Sequence, residues 1–221
     1  MPLKLFFSPG ACSFVPHVLL EISGCAFETH MVKLHKGEQN SEDYKALNPH
    51  GQVPVLVDNG QPITQIVAIA LHLDQLFPQA GFLPKDGLAR TQALSTLAWM
   101  NNTVHPTFTH IFMPQKFSDQ PEVQAALKPY NTGLYRGMLT ELQSLVAASE
   151  AKGHHWLGGA HLGPLDAYSL TLARWGTMAG ITPEELPQLW AFVQKVASQA
   201  AVARVIERER LQLNMGKPSL A

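Results

Sequence analysis

Asn48-Pro49-His50-Gly51-Gln52-Val53-Pro54-Val55-Leu56-Val57 carries a proline inside an apolar run that otherwise reads as a strand. Proline removes a ladder donor, so a strand paired on both sides rarely contains one. Two readings fit. A cis Val53–Pro54 bond would leave the N–H and C=O of Val53 free to pair with an extended ligand backbone. Alternatively, the segment is an edge strand that follows a tight loop. The strand itself is expected over 53–57. Asp58-Asn59-Gly60 is a hairpin signal that returns the chain into a further strand over 61–64.

Upstream, residues 3–7 are short, apolar and aromatic-rich, the pattern of a first strand. Ser8-Pro9-Gly10 forces a turn. From Cys12 to about Ser23 the pattern is helical, with Val15, Val18, Leu19 and Ile22 on one face and Gly24 ending it. A second strand is expected over 27–34 and a short helix over 44–47, stopped by Asn48-Pro49. Downstream, residues 65–77 are helical, with Ile69, Leu73 and Leu76 aligned and Pro78 closing the helix. The order is βαβαββα, a mixed α/β unit.

Residues 81–87 hold Pro84 and two glycines and read as a linker. The pattern beyond is helical throughout. One helix covers 89–104 and is stopped or bent at Pro106. A long one covers 122–148, with Val123, Leu127, Tyr130, Leu134, Met138, Leu142 and Leu145 as its expected apolar stripe. Residues 165–178 are apolar nearly all round, which marks a central buried helix. Two more follow over 187–198 and 201–211. The expected organisation is an α/β domain over 1–80, a linker over 81–87 and an all-α domain over 88–221.

Hydrophobic residues make up 46% of the 221, too many for a disordered chain. A net charge of −1 gives no footprint for nucleic acid or an anionic membrane. Neither a signal peptide nor a membrane span is readable, so a cytoplasmic protein is expected. The two cysteines, Cys12 and Cys25, form no CxxC pair. The ten histidines show no HExxH motif and no zinc spacing, so no metal site is expected.

Three features can carry chemistry. In Ser8-Pro9-Gly10-Ala11-Cys12-Ser13 a thiol and a hydroxyl sit at an expected helix start. Free N–H groups and the helix dipole there favour a thiolate, so a cysteine pKa of about 8.5 should fall. The thiolate would be the chain's own or that of a bound thiol. A small buried cysteine beside an N-capping serine is the plainer alternative. Val53-Pro54 is the second feature. The third is Val104-His105-Pro106, where His105 shares a helical face with Ala98 and Asn101 and could exchange a proton with a bound sulfur. A structural histidine beside a helix kink is the alternative there.

Taken in order with the βαβαββα-then-helices pattern, these features resemble the glutathione transferases, in particular the bacterial beta class. The resemblance spans nearly the whole chain and implies a thioredoxin-like N-terminal domain followed by a helical bundle. SPGACS resembles the beta-class start and implies Cys12 and Ser13 near glutathione. NPHGQVPVL resembles the family's NPxGxVPxL and implies a cis Pro54 and glutathione contacts at Gln52, Val53 and Pro54. VHP resembles the segment that places a histidine, hence His105. Lys36 stands where the family often has a basic residue near the glycine carboxylate of glutathione, with His35 as a substitute. Leu165-Asp166-Ala167-Tyr168 resembles the family's ADAYL, which implies a structural aspartate.

Two departures stand out. The family usually has Glu or Gln and then Ser, Thr or Gly at the helix after the hairpin, to hold the γ-glutamyl end. Here the pair is Gln65-Ile66. The lost hydroxyl contact is worth about 1.5–3 kcal/mol, roughly tenfold to hundredfold in affinity. Ile66 could also crowd the site, although its N–H remains at a helix start that suits a carboxylate. The family also commonly has Ser or Thr at Gly163 as an N-cap, which glycine replaces at small cost.

The resemblance implies a homodimeric transferase that uses glutathione as cosubstrate against a small hydrophobic electrophile. Phe108, Ile111, Phe112 and Met113 line the electrophile site in that reading or are plain core. The alternatives are a thiol-disulfide oxidoreductase using Cys12 and a non-catalytic binding module that has lost glutathione.

Overall fold

The structure is a computed structural model that describes residues 2–216; Met1 and residues 217–221, which the expected domains include, lie outside the described residues. Four strands form one mixed sheet in the order β2-β1-β3-β4. They are β1 (Leu3–Phe7), β2 (Phe27–Met31), β3 (Val55–Asp58) and β4 (Gln61–Thr64). β1 runs parallel to β2 and antiparallel to β3, and β3 pairs antiparallel with β4. β2 is shorter than the expected 27–34. β3 begins two residues later than expected, because Pro54 has no N–H to give a neighbour. At the hairpin Asn59 and Gly60 both have positive φ, 47° and 80°, the backbone that an Asn-Gly turn allows.

Alternation in β1 divides the two faces. Leu3, Leu5 and Phe7 turn into the large core with helices α1 (Phe14–Ser23) and α3 (Ile66–Leu76). Phe6 turns to a smaller cluster around Val32, Tyr44 and Val55, with Tyr44 supplied by α2 (Glu42–Leu47). The pairings of Phe7 with Met31, Phe6 with Val55 and Val55 with Thr64 set the site's geography. They bring Ser8 to Ser13, the chain after Met31, Val53-Pro54 and Gln65-Ile66 to one end of the sheet.

The remaining helices are α4 (Gly87–Trp99), α5 (His105–Phe112), α6 (Pro121–Ala151), α7 (Pro164–Met178), α8 (Pro187–Ala197) and α9 (Ala200–Glu209). No helix among the described residues is long and apolar enough to cross a membrane. The expected stop or bend at Pro106 is replaced by a π turn over Met100–Val104, which runs directly into α5. The wider turn carries the chain past a residue that lacks an N–H.

The stripe expected on α6 is corrected. The buried positions are Asn131, Tyr135, Leu139, Leu142 and Val146, most of them shifted by a single residue toward the C-terminus from the expected row. Tyr130 is 69% exposed and Leu134 43%. The central helix α7 decides the face. Tyr135 Oη–H donates to Leu172 O at 2.8 Å, and a Cβ on Gly176 would lie 2.6 Å from Leu139 Cδ1.

α7 is buried along nearly its whole length, and its start is sealed by Asp166. The Asp166 carboxylate accepts Leu157 N–H and Gly163 N–H, each at 2.8 Å. Burial pushes this carboxyl up to about 7, against the pull of those N–H groups. Gly163 offers no side-chain oxygen in return. It is glycine for another reason: an added Cβ would lie 2.1 Å from Phe82 O, so the linker backbone passes directly over it.

Candidate active site

The segment from Ser8 to Ser13 is tied back on itself. Ser13 Oγ–H donates to Ser8 O, and Ser13 Oγ accepts Ser8 N–H, both at 3.1 Å, with Ser13 fully buried. Its hydroxyl is thereby committed to the backbone of its own turn. Cys12 Sγ–H points to Val53 O at 3.5 Å. The expected low thiol pKa is overturned. Burial pushes Cys12 up to about 12, outweighing the N–H groups of Cys12 and Ser13 that favour the charge.

The same turn is gripped from the helical half of the chain. Gly10 N–H donates to Glu209 Oε2 at 2.8 Å, and Glu209 Oε1 lies 2.7 Å from His17 Nδ1. Gly10 O accepts Trp175 Nε1–H at 2.9 Å and Arg174 Nη1–H at 3.3 Å. Gly10 has φ +70°, and a Cβ there would meet the Arg174 guanidinium at 2.8 Å. The sequence reading missed Glu209, His17, Arg174 and Trp175. One signal was available: Val202, Val205 and Glu209 share the buried stripe of α9, and a carboxylate on such a stripe needs partners.

The Val53–Pro54 peptide bond is cis. The loop before it is braced locally. Gln52 O accepts Tyr44 Oη–H at 2.9 Å and Asn48 Nδ2–H at 2.7 Å, while Asn48 Oδ1 accepts His50 N–H at 3.1 Å. The Gln52 side chain stays exposed, and Val53 is half-buried.

α3 lacks the buried carboxylate that braces the start of α7. Gln65 has φ +71°, unusual for a residue with a Cβ, and no side chain caps the helix. The first helical bond is Ile69 N–H to Gln65 O. The amides of Ile66, Val67 and Ala68 therefore precede the helix's own bonding. The Ile66 side chain is buried in the core at 3% exposure, so it packs inward rather than standing across the opening.

Lys36 and His35 lie on the turn after β2, both outside the buried core. His105 opens α5. Its Nδ1 is 2.7 Å from Tyr168 Oη, and its ring stands 4.8 Å from the Trp175 ring. Burial, with a smaller push from Lys116, lowers its pKa to about 4. His105 is thus neutral at pH 7, and the expectation of a histidine titrating near neutrality is corrected. Trp175, Phe108 and Phe112 stack in series at 4.9 Å and 5.7 Å, from the buried indole to a ring 58% exposed.

Compared with known proteins, residues 1–75 match the family model described as glutathione S-transferase, N-terminal domain. Over 215 residues the chain is 33% identical to glutathione S-transferase GstA of Escherichia coli O157:H7, covering 95% of this chain and 100% of the relative. This chain belongs to the glutathione S-transferase family. Two solved glutathione S-transferases agree with it in fold. One, from a sphingomonad and complexed with glutathione, is 30% identical, with a TM-score of 0.80 over 95% of this chain and 100% of that one. The other, the bacterial beta class enzyme of Sphingomonas chungbukensis, is 29% identical, with a TM-score of 0.80 and the same coverage. The resemblance to beta-class glutathione transferases and the thioredoxin-like fold with its helical bundle are therefore established.

Proposed function

We propose that the chain is a glutathione transferase that binds glutathione at the sheet end and directs its thiol to a small hydrophobic electrophile. The observation that carries this reading is the start of α3, where an exposed residue is held at positive φ at the same sheet end as the cis Val53–Pro54 bond. Three first-turn amides there precede the helix's own bonding and suit a carboxylate, beside that residue held at φ +71°. In this reading residues 1–80 form the glutathione domain, residues 81–87 the linker and the rest the electrophile domain. Gln65 and the Ile66 amide hold the γ-glutamyl end. Val53 and Gln52 present backbone and side chain to the peptide, with Pro54 turning the chain between them and β3. Lys36 reaches the glycine carboxylate.

The glutathione sulfur lies near the Cys12–Ser13 turn and His105. Cys12 and Ser13 act by shaping that turn, since the thiol is protonated at pH 7 and the hydroxyl is engaged. The transferase is placed ahead of the Cys12 oxidoreductase for the same reason. Attack on a disulfide needs a thiolate, and burial disfavours one here. The exposed end of the Trp175–Phe108–Phe112 stack supports an apolar electrophile wall. Tyr130 and Leu134, exposed on α6, support a homodimer. We place the protein in the cytoplasm.

The test is calorimetry with glutathione, paired with a conjugation assay on the wild type and Cys12→Ser. Binding at or below millimolar, with conjugation within about tenfold of wild type in Cys12→Ser, supports the transferase. Loss of all conjugation in that variant shifts the reading to Cys12 chemistry. No glutathione binding at millimolar leaves the binding-module alternative.

A further inference from the structure

The π turn over Met100–Val104 leads straight into His105 and sets Asn101 and His105 against the same phenol. Tyr168 is fully buried on α7. Its oxygen is 2.7 Å from His105 Nδ1 and 3.4 Å from Asn101 Oδ1. Asn101 Nδ2–H is turned to Asn102 Oδ1 at 2.8 Å, so the amide presents its oxygen to the phenol. That oxygen can only accept. Both contacts of the phenol are satisfied in one direction alone: His105 Nδ1–H donates to Tyr168 Oη, and Tyr168 Oη–H donates to Asn101 Oδ1. The opposite direction would set two acceptor oxygens against each other.

We propose that Tyr168 and Asn101 are positioning residues that hold His105 as its Nδ1–H tautomer, leaving Nε2 as an unprotonated acceptor for the glutathione thiol proton. The inference rests on the transferase reading for its substrate, but the tautomer is a property of the protein alone. Nε2 makes no hydrogen bond among the described residues. The imidazole lies against Trp175, whose indole N–H holds Gly10 O two residues before Cys12. Its neutrality at pH 7 keeps the Nε2 lone pair available. In the ground state the thiol S–H donates to Nε2. As the sulfur–carbon bond forms, the leaving group departs with the electron pair of its own bond, and the thiol proton passes through Nε2 to water.

Two-bond proton–nitrogen NMR of the full-length protein tests the first half, with His105→Gln identifying the His105 signals. The expected spectrum shows Nδ1 protonated and Nε2 bare, and the pattern inverts in Tyr168→Phe. Asn101→Ala also shifts the pattern, by freeing the phenol to donate to His105, and it serves as the second variant because Asn101 is less buried. A wild-type His105 protonated at Nε2 overturns the proposal whatever the enzyme does.

The second half is kinetic. With glutathione and a chlorodinitrobenzene probe, both variants should lower kcat by at least about tenfold, with the glutathione KM changed by less than about threefold. A tautomer that inverts with kcat unchanged overturns the positioning role. Wild-type protein that binds no glutathione sinks the transferase reading instead, while the tautomer result still stands.

Discussion

α7 and α3 both begin without a side-chain cap, and they differ in what holds the residues just before the helix. Each has first-turn amides without helical acceptors. At α7 the chain braces the start with its own carboxylate: Asp166, wholly buried, takes the amide of Gly163 just before the helix and that of Leu157 in the preceding loop, while no side chain caps the first turn itself. At α3 no side chain caps the helix, and the residue before it is held at positive φ. A start braced by a buried carboxylate of the chain is a fold element, while in the proposed function the start of α3, with an exposed residue at positive φ, receives a ligand's carboxylate. The contrast separates Asp166, whose loss should damage the fold, from Gln65 and Ile66, whose effects should divide between fold and ligand.

The largest expected effect tests the closed start. Asp166→Ala orphans the buried Gly163 N–H and the part-buried Leu157 N–H, each worth about 1–3 kcal/mol. A loss of about 4 kcal/mol should lower the melting temperature by roughly 8–16 °C in a chain of this size. Scanning calorimetry reads it, and a change under about 1 kcal/mol would mean that water replaces the carboxylate easily. Asp166→Asn, which keeps one acceptor, should fall between.

Ile66→Ser restores the hydroxyl usual in the family but empties part of the core. Because the side chain is 3% exposed, the substitution should cost about 3 kcal/mol in stability. It should move glutathione affinity by less than about tenfold, since in the proposed function the amide meets the ligand while the side chain is buried in the core. A hundredfold gain in affinity by calorimetry would show that a side-chain hydroxyl is what the open start lacks.

Gly163→Ser sharpens the same contrast at α7. Serine is the better cap by propensity. The Phe82 carbonyl, 2.1 Å from the new Cβ, makes it the worse residue here. We expect a destabilisation of about 1–3 kcal/mol, read by urea unfolding. A stabilised variant would show that the linker yields readily.

Much of this is legible in the sequence, and the boundary is physical. Local signals survive. Asn59-Gly60 forms the hairpin, Gly24 ends α1 at φ 69°, and the all-apolar run becomes the buried α7. What fails depends on a distant partner. The stripe on α6 is displaced by one residue because Tyr130 and Leu134 are as apolar as Tyr135 and Leu139, and only the surface of α7 chooses between the rows. The low thiol pKa fails because sequence shows the amides near Cys12 but not the burial that opposes them. Glu209 and Trp175 go unseen because their roles exist only once α9 and α7 reach Gly10.

The smallest effect is the most discriminating, because it has opposite signs in two assays. Gln65 sits at φ +71°, a conformation that glycine adopts without strain and that costs a residue with a Cβ about 1–3 kcal/mol. Gln65→Gly relieves that strain but frees the unfolded chain, which offsets up to about 1 kcal/mol. The net expectation is a gain in stability of about 1 kcal/mol. Glutathione binding should weaken at the same time by roughly tenfold or more, through loss of the side-chain amide. If the fold tightens and the ligand loosens, the strain belongs to ligand binding, which is what an open helix start implies. If both fall together, Gln65 supports α3 as Asp166 supports α7, and the two starts differ only in which residue seals them.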